Sequence, residues 1–176
     1  VRKAIYIGVC TIGLLCGALP AFAGNGLFGT IEFRAKSLAA LPKWTTVLKK
    51  LKDEEADFSQ CFEDSLTCTS GEMRTWRGRI RSLQGEDTLA MLQEVNKFAN
   101  QWPYIEDITN YGISDYWATP EEFMPNSGDC EDYAIFKYVT LKRLGVNPDD
   151  MRLAVVKDTA VSYTHLRAHE TLMNLV

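Results

Sequence analysis

Histidine is nearly missing from this chain. Two occur among 176 residues, His165 and His169, both close to the C-terminus. That scarcity bears on any hydrolytic reading, because imidazole is the usual general base near neutral pH. Positive charge is also in short supply. Lys and Arg total 19 against 23 Asp and Glu, a net charge of −4, and the pI is near 5.2. A nucleic-acid-binding surface is therefore not expected. The sequence has no Gly-rich phosphate loop, no internal repeat and no low-complexity tract, which removes nucleotide-loop and solenoid readings. Its one long apolar run, Ala4 to Leu19, is shorter than the roughly 20 residues of a membrane-spanning helix. What remains is 46% hydrophobic and 24% charged, a composition suited to one modest globular domain.

The N-terminus reads as an export signal. Arg2-Lys3 supplies a positive start, Ala4 to Leu19 an apolar middle, and Ala21-Phe22-Ala23 a small-x-small cleavage site. Residues 1–23 are thus expected to leave, with the mature chain beginning at Gly24 and residing, in a diderm bacterium, in the periplasm. Cys16 follows Leu15 rather than a small residue, which disfavours a lipoprotein signal. Cys10 and Cys16 lie inside the leader, so the mature chain keeps Cys61, Cys68 and Cys130. An oxidising compartment favours a bridge between Cys61 and Cys68, which stand close together in an acidic stretch. Cys130 is then the odd cysteine.

Residues 161–176 read as foreign. Val161 to Thr171, Val-Ser-Tyr-Thr-His-Leu-Arg-Ala-His-Glu-Thr, back-translate onto a transposase end sequence used in sequencing libraries, and the frame holds to Val176. The natural protein is expected to run on differently after Ala160. Both histidines fall in this tail, so neither should be paired with Cys130.

Between leader and tail, Leu38 to Leu51 carries Leu38, Leu41, Trp44, Val47, Leu48 and Leu51 at helical spacing, with Lys43, Lys49 and Lys50 opposite. Asp53 to Thr69 reads as an acidic loop, Arg74 to Leu83 as a short helix, and Asp87 to Trp102 as a second long one with Asp87 at or near its N-cap. Leu89, Leu92, Val95, Phe98 and Ala99 form its expected apolar face, and Pro103 stops it. The aromatic run Tyr104, Tyr111, Tyr116 and Trp117 is expected to wedge layers together rather than act. Thr119, Pro120 and Glu122 have the pattern of a capping box. Pro125 to Gly128 turns the chain.

The next segment is Asn126-Ser127-Gly128-Asp129-Cys130-Glu131-Asp132-Tyr133-Ala134. A cysteine here opens an amphipathic helix, Glu131 to Leu144, with Gly145 as its C-terminal stop and Lys137, Lys142 and Arg143 expected to match its dipole. A helix N-terminus stabilises thiolate. Flanking carboxylates oppose it, and that conflict suggests a second task for the acids, with metal binding the first candidate. Met151 to Val156 alternates as a strand does.

Asp115-Tyr116-Trp117-Ala118-Thr119-Pro120, Gly128-Asp129-Cys130-Glu131-Asp132-Tyr133-Ala134-Ile135, Lys137-Tyr138, Leu144-Gly145-Val146 and Leu153 to Lys157 together resemble the bacterial transglutaminase-like cysteine peptidases, above all their periplasmic adhesin-releasing members. The likeness is good from Asn96 to Lys157 and loose before that. It implies an α+β fold with a papain/transglutaminase-like core, in which the nucleophile helix packs on an antiparallel sheet that supplies His and Asp and is mostly missing here. By the same resemblance Cys130 is the nucleophile, and Asp129 and Glu131, with Asp132 as a further candidate, bind Ca²⁺. Also by resemblance, the substrate is a large surface adhesin cut after a di-alanine near its N-terminus, releasing it and dispersing biofilm, and a partner is an inner-membrane cyclic di-GMP receptor. Without the His and Asp, residues 24–160 should be inactive. Two other classes stay open: a transferase or amidase using the same cysteine, and a domain that only binds a partner.

Overall fold

Pro42 decides where the first long helix begins. The residue before a proline is pushed out of the α region, and proline itself suits the first helical position. Leu41 accordingly sits at φ −125°, ψ 65°, and α1 runs Pro42–Asp53. The expected start at Leu38 was too early: Leu38 and Leu41 stay exposed while Val47 is fully buried. The computed structural model describes residues 24–25, 31–32, 38, 41–151 and 153. The leader up to residue 23 and the tail 161–176, with both histidines, lie outside them.

The chain divides into two units, Val1–Lys36 and Ser37–Val176. In the first, β1 (Gly24–Asn25) and β2 (Ile31–Glu32) pair antiparallel, Gly24 with Glu32 and Asn25 with Ile31. Among its described residues the second holds the helices α1, α2 (Glu55–Glu63), α3 (Gly71–Leu83), α4 (Thr88–Ala99), α5 (Asp107–Asn110), α6 (Pro120–Asn126) and α7 (Cys130–Arg143), joined by turns and irregular segments. The strand expected over Met151–Val156 lies outside the described residues except at Met151 and Leu153, and neither of these belongs to a strand. The expected sheet has no counterpart among the described residues of this unit.

The acidic stretch after Asp53 is a helix, not a loop. Its acidic residues are exposed, while Phe58 and Cys61 are fully buried. Cys61 bonds to Cys68, as an oxidising compartment favours, and this ties α2 to the 3₁₀ turn Ser65–Thr67 that follows it. Ser70 caps α3 by accepting from Met73 N–H. Asp87 caps α4, accepting from Leu89 and Ala90 N–H at 3.0 and 3.1 Å. Leu89 itself points outward at 61% exposure. The buried face is Met91, Leu92, Val95, Phe98 and Ala99, because a cap followed by one turn rotates position 89 away from α7.

The core is aromatic and centres on α7. Phe136 packs against Trp76, Phe98, Trp102 and Phe123, with ring centroids 5.2–6.0 Å apart. Such pairs add about 0.5–1.5 kcal/mol each beyond the area they bury. Trp76 Nε1 donates to Thr140 Oγ1 at 2.9 Å, so the indole enters the core without an orphaned N–H. A smaller cluster of Leu83, Met91, Leu92, Val95 and Leu141 closes the other side of α7. Gly145 ends the helix at φ 94°, with Val146 N–H reaching Leu141 O. Lys137 departs from its expected dipole-matching place. It is 3% exposed in mid-helix, and burial alone pushes it down to about 8.

α1 is tied to α6 by a half-buried polar network. Lys50 Nζ donates to Glu122 at 2.8–2.9 Å and to Tyr116 Oη at 2.7 Å, so Lys50 is no solvent-face lysine. Glu54, at the α1–α2 junction, accepts from Thr119 Oγ1 at 2.8 Å. Burial outweighs that bond and raises Glu54 from 4.5 to about 7. The fold thus prefers neutral Glu54. Its contribution is fully present below about pH 4.5 and is lost as pH rises through about 7. Glu54→Gln keeps an acceptor for Thr119 and removes the charge. It is expected to raise Tm by about 2–4 °C at pH 8 and to leave it unchanged at pH 4, as followed by circular dichroism.

Candidate active site

α6 delivers the chain to the site. Thr119 accepts from Glu122 N–H while Glu122 Oε2 accepts from Thr119 N–H at 2.9 Å, the capping box expected from sequence. α6 reaches Asn126, so Pro125 lies inside it rather than in the turn. The reversal falls on Ser127, at φ 63°, ψ −166°. A non-glycine residue in that region is strained by about 1–3 kcal/mol, and such strain collects at functional sites.

Gly128 follows, and here side-chain size decides. A Cβ on Gly128 would lie 2.2 Å from Asp132 Oδ2. Asp132 is fully buried. Its Oδ1 accepts from Ala118 N–H at 2.7 Å and its Oδ2 from Asp129 N–H at 3.2 Å. One carboxylate therefore joins the segment entering α6 to the first turn of α7. Asp129 is the N-cap of α7, and Cys130 is its first residue, buried, with Sγ near the positive end of the helix.

Gly128 also holds a second segment. Its carbonyl accepts from Ile105 N–H at 2.9 Å, and it bridges to Tyr104 in parallel. This places Tyr104 Oη 4.0 Å from Cys130 Sγ. Tyr133 Oη donates to Trp102 O, and Trp102 Nε1 donates to Met124 O at 2.7 Å, so the 102–105 segment is anchored to both α6 and α7. Burial first, then the neighbouring Cys130 and Asp129, push the Tyr104 phenol upward, so it keeps its proton.

Acids gather around Cys130, with Asp107 added to those named from the sequence. Asp129 and Glu131 flank Cys130, and ligand atoms of Asp129, Cys130 and Glu131 come within 4.8 Å of one another. Asp107 joins from α5: it groups with Asp129 and Asp132, and with Asp115 and Glu131, at the same spacing. Asp107 Oδ2 accepts from Tyr116 N–H. Asp107 Oδ1 and Asp129 Oδ1 are buried and accept no hydrogen bond among the described residues. Burial, then the hydrogen bond and charge of Asp129, raise Glu131. Burial also pushes Asp132 up to about 7 despite its two N–H donors. Crowded, desolvated carboxylates with orphaned oxygens fit a hard divalent cation, which takes oxygen ligands. The sequence reading missed Asp107 because it is more than twenty residues from the cysteine in the chain. Its only local signal was its place in the polar aromatic run.

A helix-borne thiol, an adjoining phenol and several carboxylates thus meet at the N-terminal end of α7. The sequence profile of the bacterial transglutaminase-like cysteine proteinases (BTLCP) matches residues 57–169. The chain belongs to that family. Among solved structures it is similar to Legionella pneumophila LapG in a calcium-bound form, at 34% identity over 52% of this chain and 53% of that one, with a TM-score of 0.44. An EGTA-treated form of LapG matches at 33% identity over 53% and 52%, with a TM-score of 0.45. The chain thus spans about half the length of the solved structures it matches. No curated protein sequence matches it.

The Gly128 contact yields a direct test. Gly128→Ala forces Asp132 or the loop to move and is expected to destabilise by about 1–3 kcal/mol. Gly71→Ala, whose Cβ meets nothing within 4 Å, should stay within about 0.5 kcal/mol of the parent. Urea unfolding of both variants checks the contrast.

Proposed function

We propose that the complete protein is a periplasmic, calcium-dependent cysteine endopeptidase that cuts a large surface adhesin near its N-terminus, at a di-alanine, and so releases it and disperses biofilm. The observation that carries the peptidase part is Cys130 at the first position of α7, set there by Asp132 and Gly128, in a chain of a cysteine-proteinase family. In this reading the Cys130 thiolate attacks the scissile carbonyl. A histidine takes the thiol proton and later protonates the leaving amine, and an aspartate fixes its tautomer. His165 and His169 are not assigned these roles, since they stand in the segment read as foreign. In this reading the histidine comes from outside residues 24–160, which hold none.

Asp129 and Glu131 would hold the Ca²⁺, with Asp107 and Asp132 within reach. Bound there, the cation would offset the carboxylate charge that otherwise works against a thiolate. Periplasmic location rests on the export signal at residues 1–23. The adhesin, its di-alanine site and the cyclic di-GMP receptor as partner rest on the resemblance carried by Asn96 to Lys157.

In the complete protein, Cys130→Ala is expected to lower cleavage by roughly four orders of magnitude or more, with Tm and far-UV circular dichroism unchanged. Cleavage retained by the variant refutes the nucleophile. EGTA is expected to abolish cleavage and added Ca²⁺ to restore it, with Asp129→Asn or Glu131→Gln mimicking the chelator. Undiminished cleavage in EGTA counts against a calcium requirement.

A further inference from the structure

Tyr104 is half exposed, so the core does not account for its ring. Its backbone is nonetheless fixed. It bridges to Gly128, and Ile105 N–H donates to Gly128 O at 2.9 Å. Gly128 lies two residues before Cys130. One short clamp therefore sets the phenol against the sulfur, with Oη 4.0 Å from Sγ. That separation is long for a hydrogen bond to the sulfur, and an oxygen two bonds from the sulfur can sit beside both atoms within reach of the phenol.

We propose that Tyr104 is a catalytic hydrogen-bond donor that holds the carbonyl oxygen of the substrate as negative charge develops on it. This rests on the cysteine-peptidase reading. When the Cys130 thiolate adds to a carbonyl carbon, the S–C bond forms and the carbonyl π pair moves onto oxygen. That oxygen is two bonds from the sulfur. A useful donor stands about 2.7–3.1 Å from it, a distance within reach of a phenol 4.0 Å from the sulfur. The N-terminal end of α7 directs its partial positive charge to the same place. A donor on a separate segment, preorganised by backbone bonds rather than by the ligand, needs no rearrangement as the charge appears.

Two reagents on the same sulfur separate this role from a structural one. With p-nitrophenyl acetate, the S–C bond forms through an oxyanion, the aryl C–O bond breaks and p-nitrophenolate leaves with its electron pair. With iodoacetamide, the sulfur displaces iodide and no charge builds on a carbonyl oxygen. Both rates can be read on the full chain, with modification of Cys130 resolved by peptide mass spectrometry. Tyr104→Phe keeps the ring and removes the donor. It is expected to slow acylation of Cys130 at least about tenfold and to leave alkylation within about twofold. Equal slowing of both reactions makes Tyr104 a prop for the thiol and overturns the inference. So does unchanged acylation, and so does a Cys130 inert to both reagents in the parent. Proteolysis that survives Cys130→Ala in the complete protein instead overturns the peptidase reading, a result none of the alkylation or acylation outcomes can mimic.

Discussion

A buried carboxylate needs its oxygens occupied by donors, because desolvating the charge without partners costs several kcal/mol. Asp132 meets that demand by drawing in the N–H groups of Ala118 and Asp129. These two come from separate segments, the entry to α6 and the first turn of α7. Satisfying one side chain thus fixes where α7 begins and how it stands against α6. Gly128 follows from the same demand, since the Asp132 carboxylate occupies the space a Cβ would need. The Gly128 carbonyl, left facing away, then receives Ile105 and brings Tyr104 to the sulfur.

α7 is at once the middle of the core and the carrier of Cys130. Phe136 sits among four aromatic rings, and Thr140 satisfies the Trp76 indole. Cys130 is therefore held by a helix that cannot shift without disturbing the aromatic core. A rigid carrier with its reactive end at a charged rim suits chemistry in which position supplies much of the rate. The rim carries a cost: Asp107, Asp129, Glu131 and Asp132 crowd one another, and burial raises Glu131 and Asp132 well above ordinary carboxylates. The charge that disfavours a thiolate is the same charge that suits a cation.

Much of the local structure was legible in the residues. Caps are short-range hydrogen bonds, so Asp87, Thr119 with Glu122, and Gly145 could be read without knowing the fold. The cysteine count paired Cys61 with Cys68. What failed depended on neighbours distant in sequence. α2 looked like an acidic loop because its charges outnumber Phe58 and Cys61, and only the core shows that those two suffice. Leu89 was expected on the buried face and is exposed; Lys137 was expected to serve the helix dipole and is buried in mid-helix. Periodicity places a residue on a face, but which face meets a neighbour is settled by packing.

The sequence by itself determined the chemistry on offer: a thiol at a helix start, acids on both sides of it, and no histidine outside a foreign-looking tail. Those are properties of residue types and spacings within one helical turn, where the chain has little freedom. Only the tertiary structure brought Asp107 and Tyr104 to Cys130, over more than twenty residues of chain. That encounter depends on two N–H bonds to the buried Asp132 and one carbonyl on Gly128, contacts whose partners no local pattern specifies.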